Sequence, residues 1–338
     1  MKNMSSKLII LFLVSLLIFG SLNVLASAQV KNPTRLSFGS ASPGGSFYLG
    51  AVSLATVVNN TFDDVDVIVE ITNATKHNID LVQAGQIHLG MASSNVVWEA
   101  WNGKGTFEGK PAKNIRIMIP GWNGVNMLIT LEKFGFNNIL DFDGEPYNLG
   151  PRGGAAYLFS QRVFEVVGVN VQESNLQTED AARALTDGII KGFTIQWPAT
   201  TIHQLEIDHE LKIFTVGEQS MTKEQLEKFF EVYPEYSIVT IPKGYYKAIK
   251  EDMPSAGHFN TVICQKDLPE DLVYKIVKSI FENKEMIKQV YPAAANAITL
   301  DNLVYSRVES APYHPGAVKY FREQGVDIPD NLIPPEMK

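Results

Sequence analysis

The chain has 338 residues, with 29 Lys and Arg against 37 Asp and Glu and a formal net charge of −8. An acidic balance argues against nucleic acid and against anionic membranes as partners, although a pocket's own field is set by a few local groups. The length suffices for two domains of ordinary size, and the single cysteine, Cys264, excludes an internal disulfide framework.

Residues 1–28 read as a cleaved leader rather than as part of the fold. Lys2 and Lys7 precede an almost unbroken apolar run from Leu8 to Phe19, and Ala26-Ser27-Ala28 is a small-residue cleavage site. Cleavage after Ala28 predicts an exported, periplasmic chain beginning at Gln29. No later apolar stretch is long enough to span a bilayer, so no stable membrane insertion is expected of the mature chain. Export with one cysteine fits a bacterial envelope, and Cys264 reads as a buried small hydrophobe.

A short β-type run then leads from Leu36 into Ser42-Pro43-Gly44-Gly45-Ser46-Phe47-Tyr48. A helical pattern follows, with Phe47, Ala51, Leu54 and Val58 on one face. Two glycines at the mouth of a helix let a ligand approach the backbone and leave N–H groups free for an anion. Downstream, apolar β-branched runs occur at Val65–Ile71, His88–Ala92, Ile115–Pro120, Asn126–Leu131 and Tyr147–Gly150. Helical patterns fall at His77–Gln83, Asn95–Trp101, Ala155–Val167 and Glu179–Asp187. This alternation predicts an α/β fold with parallel sheet covered on both faces. From Pro269 the pattern turns to successive helices at Glu270–Asn283, Lys284–Gln289, Leu300–Glu309 and Gly316–Gln324, followed by a Pro-rich tail.

Two segments read as crossovers: Ile119–Gly124, rich in turn residues, and the stretch between Phe214 and Gln225. They predict one lobe from 29–120 plus 225–338 and a second from 121–224, with a cleft between them.

No residue set reads as catalytic. The six histidines show no metal-ligand spacing, and no nucleophile elbow, Walker or dinucleotide motif occurs. Neither a metal nor a cofactor is expected. Six loops at the ends of predicted strands stand out instead. They carry Gly44, Gly45, Ser46 and Tyr48; Asn78; Ser94 and Asn95; Trp122 and Asn123; Arg152, Gly153, Gly154 and Ala155; and Trp197. Aromatics as walls, with amides, hydroxyls and helix N-termini as anchors, are what a ligand cleft requires.

Several of these segments, in order, resemble the solute receptors of tripartite ATP-independent periplasmic (TRAP) transporters, of the TAXI type. The landmarks are Gly44–Gly50, Asn78–Gly85, Glu99–Gly103, Tyr233-Pro234-Glu235-Tyr236 with Ile241-Pro242, and His314–Ala317. The resemblance implies a two-lobed periplasmic binding protein, type II-like (Venus-flytrap), with a helical C-terminal part. It implies a monomeric receptor, not an enzyme, that captures a small carboxylate such as glutamate, 2-oxoglutarate or another dicarboxylate. The TRAP membrane component would be its partner. A sensory binding protein for a membrane kinase and an ABC-type importer receptor are the alternatives. The chain departs from the family pattern at Arg152-Gly153-Gly154-Ala155, at Asn95 and at Lys191-Gly192. Losing an acid at Asn95 and gaining Arg152 predicts a more positive cleft, with the Arg152 guanidinium clamping a carboxylate through two parallel hydrogen bonds.

Overall fold

The computed structural model describes residues 34–301, 303 and 311–338. The leader expected over 1–28 and most of the helix expected over Leu300–Glu309 lie outside these residues.

The first part of the chain alternates as its sequence predicts. Strand β1 (Thr34–Gly39) leads through the glycine turn into helix α1 (Ser46–Thr61), followed by β2 (Val65–Glu70), α2 (Thr75–Gln83), β3 (Leu89–Ser93) and α3 (Ser94–Asn102). The longest strand, β4 (Ile115–Leu131), comes next. Then come β5 (Pro146–Asn148), α4 (Ala155–Val167), β6 (Gln172–Ser174), α5 (Thr178–Thr186), β7 (Gly192–Trp197), α6 (Thr200–Asp208) and β8 (Leu211–Phe214). The last part holds α7 (Lys223–Val232), β9 (Ser237–Ile241), β10 (Met253–Gln265), α8 (Glu270–Glu282), α9 (Lys284–Val290), α10 (Pro292–Ala297) and α11 (Pro315–Glu323).

Among the described residues the strands form one sheet in the order β2-β1-β3-β10-β4-β7-β5-β6, with β8 beside β4 and β9 beside β10. The sheet is mixed. β1 and β3 run parallel, as do β7, β5 and β6, while β10 is antiparallel to both β3 and β4.

Two strands tie the sheet together. Residues 115–125 of β4 pair with 257–265 of β10; from Val125 onward β4 pairs with β7 and then β8. β10 makes the matching exchange, pairing with β9 up to Gly257 and with β4 and β3 beyond it. The turn expected over Ile119–Gly124 is therefore strand: Pro120 and Gly121 lie within β4 instead of ending it. Close packing explains the glycines. A Cβ on Gly121 would lie 2.8 Å from the Asn260 carbonyl oxygen, and one on Gly257 would lie 2.9 Å from that of Gly124.

Among the described residues the buried apolar side chains fall into three clusters. One joins residues between Leu36 and Trp122, Leu158, and residues from Val262 to Leu332; the other two are built from residues between Val125 and Ala256. Phe229, Tyr236, Val239 and Tyr246, which follow the expected second crossover, pack into the latter two. Trp122, expected in the ligand cleft, belongs to the first cluster. Its ring stands edge-on to Tyr291 at 5.2 Å, and a Cβ on Gly50 would approach it to 1.9 Å. Cys264 is fully buried, and burial pushes its thiol upward.

His314 caps α11. Its Nδ1 accepts from the Gly316 amide at 3.2 Å and its Nε2 lies 3.1 Å from the Leu268 carbonyl oxygen, which fixes the proton on Nε2. Burial lowers this imidazole from 6.5 to about 4. Between those values the unfolded chain binds a proton that the folded chain does not, so stability falls as pH falls through the window. The pH dependence of unfolding should therefore lose close to one proton's worth of slope between pH 6.5 and about 4 in His314→Asn, as measured by denaturant titration. Gly50→Ala should cost about 1–3 kcal/mol by overpacking against Trp122, readable in the same assay.

Candidate functional site

The end of β5, residues 193–196 of β7 and the turns before α1 and α4 meet at a cavity of about 70 Å³. Gly45 is the N-cap of α1 and Gly154 the N-cap of α4; neither helix has a side-chain cap or an acidic residue in its first turn. The opening amides of a helix have no intrahelical acceptors, and the aligned peptide dipoles add partial positive charge there. Two such ends line the same hollow, through Gly45, Ser46 and Phe47 on one side and Gly154, Ala155 and Ala156 on the other.

Glycine is needed beside both caps. Gly44 and Gly153 have φ of +79° and +78°, a left-handed conformation that costs other residues strain. This geometry turns each chain sharply from strand into helix.

The remaining lining is apolar, with polar groups from Ser42, Asn148, Thr178, Thr194 and Gln196. Among the described residues no Lys, Arg, Asp or Glu lines the cavity. Gln196 organises one wall. Its Nε2 donates to Ser46 Oγ at 2.8 Å and to Asn260 Oδ1 at 3.0 Å, and its Oε1 lies 3.0 Å from His258 Nε2. An amide oxygen only accepts, so His258 carries its proton on Nε2, and its Nδ1 is buried without a partner. Burial lowers His258 from 6.5 to about 4, keeping the ring neutral.

Several bonds draw segments of the first core cluster onto those of the other two. Ser42 Oγ donates to Gln177 Oε1, the Lys76 amide to the Gly153 carbonyl at 3.0 Å, and Thr200 Oγ1 to the Gly44 carbonyl at 3.2 Å.

Of the residues singled out in the sequence, Gly45, Ser46, Gly154 and Ala155 line this cavity, and Gly44 and Gly153 shape its entrances. Tyr48 does not line it; Phe47 and Phe193 supply rings. Asn78 is a structural clamp, fully buried: its Nδ2 donates to the carbonyls of Ser40 and Met91, both at 2.8 Å, and its Oδ1 accepts from Thr72 at 2.7 Å. Trp197 packs on Tyr245 at 5.2 Å, while its neighbour Gln196 faces the cavity.

Arg152 departs most from expectation. Its side chain is 75% exposed, donating from Nε to Asn175 Oδ1 at 2.8 Å and facing Glu173 at 3.6 Å. It is not among the residues that line the cavity. Ser94, Asn95 and Asn123 line a separate and larger cavity of about 660 Å³, together with Tyr236, His258 and Asn260. Sequence reading missed Gln196 and Phe47 as lining residues.

Among the described residues no group of three or more His, Cys, Asp or Glu could hold a metal ion, and no helix is long and apolar enough to cross a membrane. The fold is similar to that of a solved structure described as a periplasmic transporter. The two are 14% identical, with a TM-score of 0.50 over 88% of this chain and 93% of that one. The alkanesulfonate-binding protein SsuA from Xanthomonas axonopodis pv. citri, bound to MOPS, is 12% identical with a TM-score of 0.45, over 87% of this chain and 91% of that chain. A putative L-cystine ABC transporter from Listeria monocytogenes is 11% identical with a TM-score of 0.48, over 77% and 97%. In sequence, residues 38–325 match the NMT1-like family, nearly the whole described chain, and the chain belongs to that family.

Proposed function

We propose that the chain is an extracytoplasmic solute receptor. It captures a small carboxylate between two lobes and delivers it to a membrane transporter of the TRAP type, after export and cleavage following Ala28. The observation that carries this reading is the pair of uncapped helix N-termini facing one cavity that, among the described residues, no charged side chain lines. Such a site stabilises negative charge through main-chain amides. Its volume, about 70 Å³, is room for about two waters at roughly 30 Å³ each, so a dicarboxylate enters only with the two lobes further apart than they stand here.

The same lining narrows the ligand. An α-ammonium group buried there would lack a carboxylate partner, which is costly. That favours a keto acid or a dicarboxylate over glutamate. The apolar walls of Phe47, Phe193 and Leu176 would cover the carbon chain.

The three core clusters support two lobes, one formed by the first cluster and one by the other two. We place both crossings in the long strands, near Gly124 in β4 and Gly257 in β10, the second well after the Phe214–Gln225 stretch. Bonds such as Gln196 to Ser46 then exist only in the closed form, and a ligand that completes them shifts the population toward closure.

A ligand present at 100 times its dissociation constant should stabilise the chain by about 2.7 kcal/mol. A thermal-shift screen of 2-oxoglutarate, other dicarboxylates, glutamate and neutral solutes tests this: the carboxylates should raise the midpoint and the neutral solutes should not. Absence of a shift with every carboxylate would sink the reading. By calorimetry, Arg152→Ala should leave the affinity unchanged. Ala155→Pro removes one amide donor at a position where proline is well tolerated, and should weaken binding roughly tenfold or more.

A further inference from the structure

Arg162 lies on α4, the helix whose first turn forms part of the small cavity, but neither it nor its partners line that cavity. Its side chain is 11% exposed and engages three groups. NH1 donates to Glu235 Oε1 and to the Tyr236 hydroxyl, each at 3.1 Å, while NH2 donates to Glu99 Oε1. Burial opposes the guanidinium charge, and Tyr236, Glu99 and Glu235 outweigh that effect.

These partners are rooted in different cores. Tyr236 packs on Phe159 of α4 at 5.8 Å and on Phe229 at 5.3 Å, within one cluster. Glu235 precedes it directly, so the guanidinium is held from its own side. Glu99 belongs to α3, whose Val96, Val97 and Ala100 are buried in the cluster that contains α1. Its Oε2 is buried without a partner, and a Cβ on Gly105 would lie 2.5 Å from it. Arg162 engages only the Oε1 of the Glu99 carboxylate.

We propose that Glu99 and Arg162 form a latch between the two lobes, and that they are positioning residues setting how firmly the closed receptor holds its ligand. This inference rests on the two-lobed receptor reading. On opening, Arg162 keeps Glu235 and Tyr236 while Glu99 turns to water. Closure exchanges that hydration for a charge-assisted bond in a desolvated setting.

The test is Glu99→Gln, which keeps the shape and removes the charge, with Arg162→Lys as a second variant that keeps the charge and loses the fork. Small-angle scattering of the ligand-free protein should give a larger radius of gyration for Glu99→Gln than for the wild type. Stopped-flow measurement with 2-oxoglutarate should show dissociation at least roughly tenfold faster with little change in association, and Arg162→Lys should fall between. A Glu99→Gln protein that loses thermal stability yet keeps wild-type scattering and dissociation would reduce the pair to packing and overturn the latch. Wild-type values in all three would overturn it too. If the wild type binds no carboxylate, the receptor reading fails on its own, and the scattering comparison still decides the latch.

Discussion

The pairing of β4 with β10 is the constraint on which the rest of the structure depends. Antiparallel hydrogen bonds between residues 115–125 and 257–265 hold the centre of the sheet, and both strands change partners where Gly124 meets Gly257. A side chain at either glycine would collide with its surroundings. The close approach lets one continuous sheet serve hydrophobic clusters formed by different stretches of chain. Through β3 and β7 it also fixes where the ends of β1 and β5 lie, and so where the helices that follow the glycine turns can meet.

Around that crossing the polar groups form a connected set. Gln196 reaches Ser46 at the start of α1, Asn260 and His258 on β10, and its backbone belongs to β7 beside β4. One side chain thus reads the position of three elements at once. A buried polar network of this kind specifies an arrangement as well as stabilising it, since a partly broken set leaves buried groups unsatisfied. His258 contributes as a neutral donor because burial disfavours its charged form.

Much of the first part of the fold was legible in the sequence, because β1 to α3 follow simple alternation of strand and helix. The last third was harder. β10 contains Pro254, Gly257, His258 and Asn260, residues that weaken a strand reading, and it is nevertheless strand because both its faces are buried and both its edges paired. The same override carries β4 through Pro120 and Gly121. At the site, the glycine turns were visible as turns that lead into helices. The roles of Asn78 and Arg152 were not, since a short motif does not say whether a side chain faces inward, outward or toward its own backbone. Asn78 is consumed by three hydrogen bonds and Arg152 by Asn175 and Glu173. The residue type was compatible with binding in each case, and the neighbours decided otherwise.

Cys264 sits in the middle of the sheet, paired through its backbone to Leu89 on one side and to Arg116 on the other, with no exposed surface. Its sulfur is shielded and disfavoured as a thiolate, the form that reacts. Alkylating reagents added to the native protein would reach it only when the central strands separate. The rate at which this lone thiol is modified therefore serves as a native clock for the rarest fluctuations of the fold, with no label added.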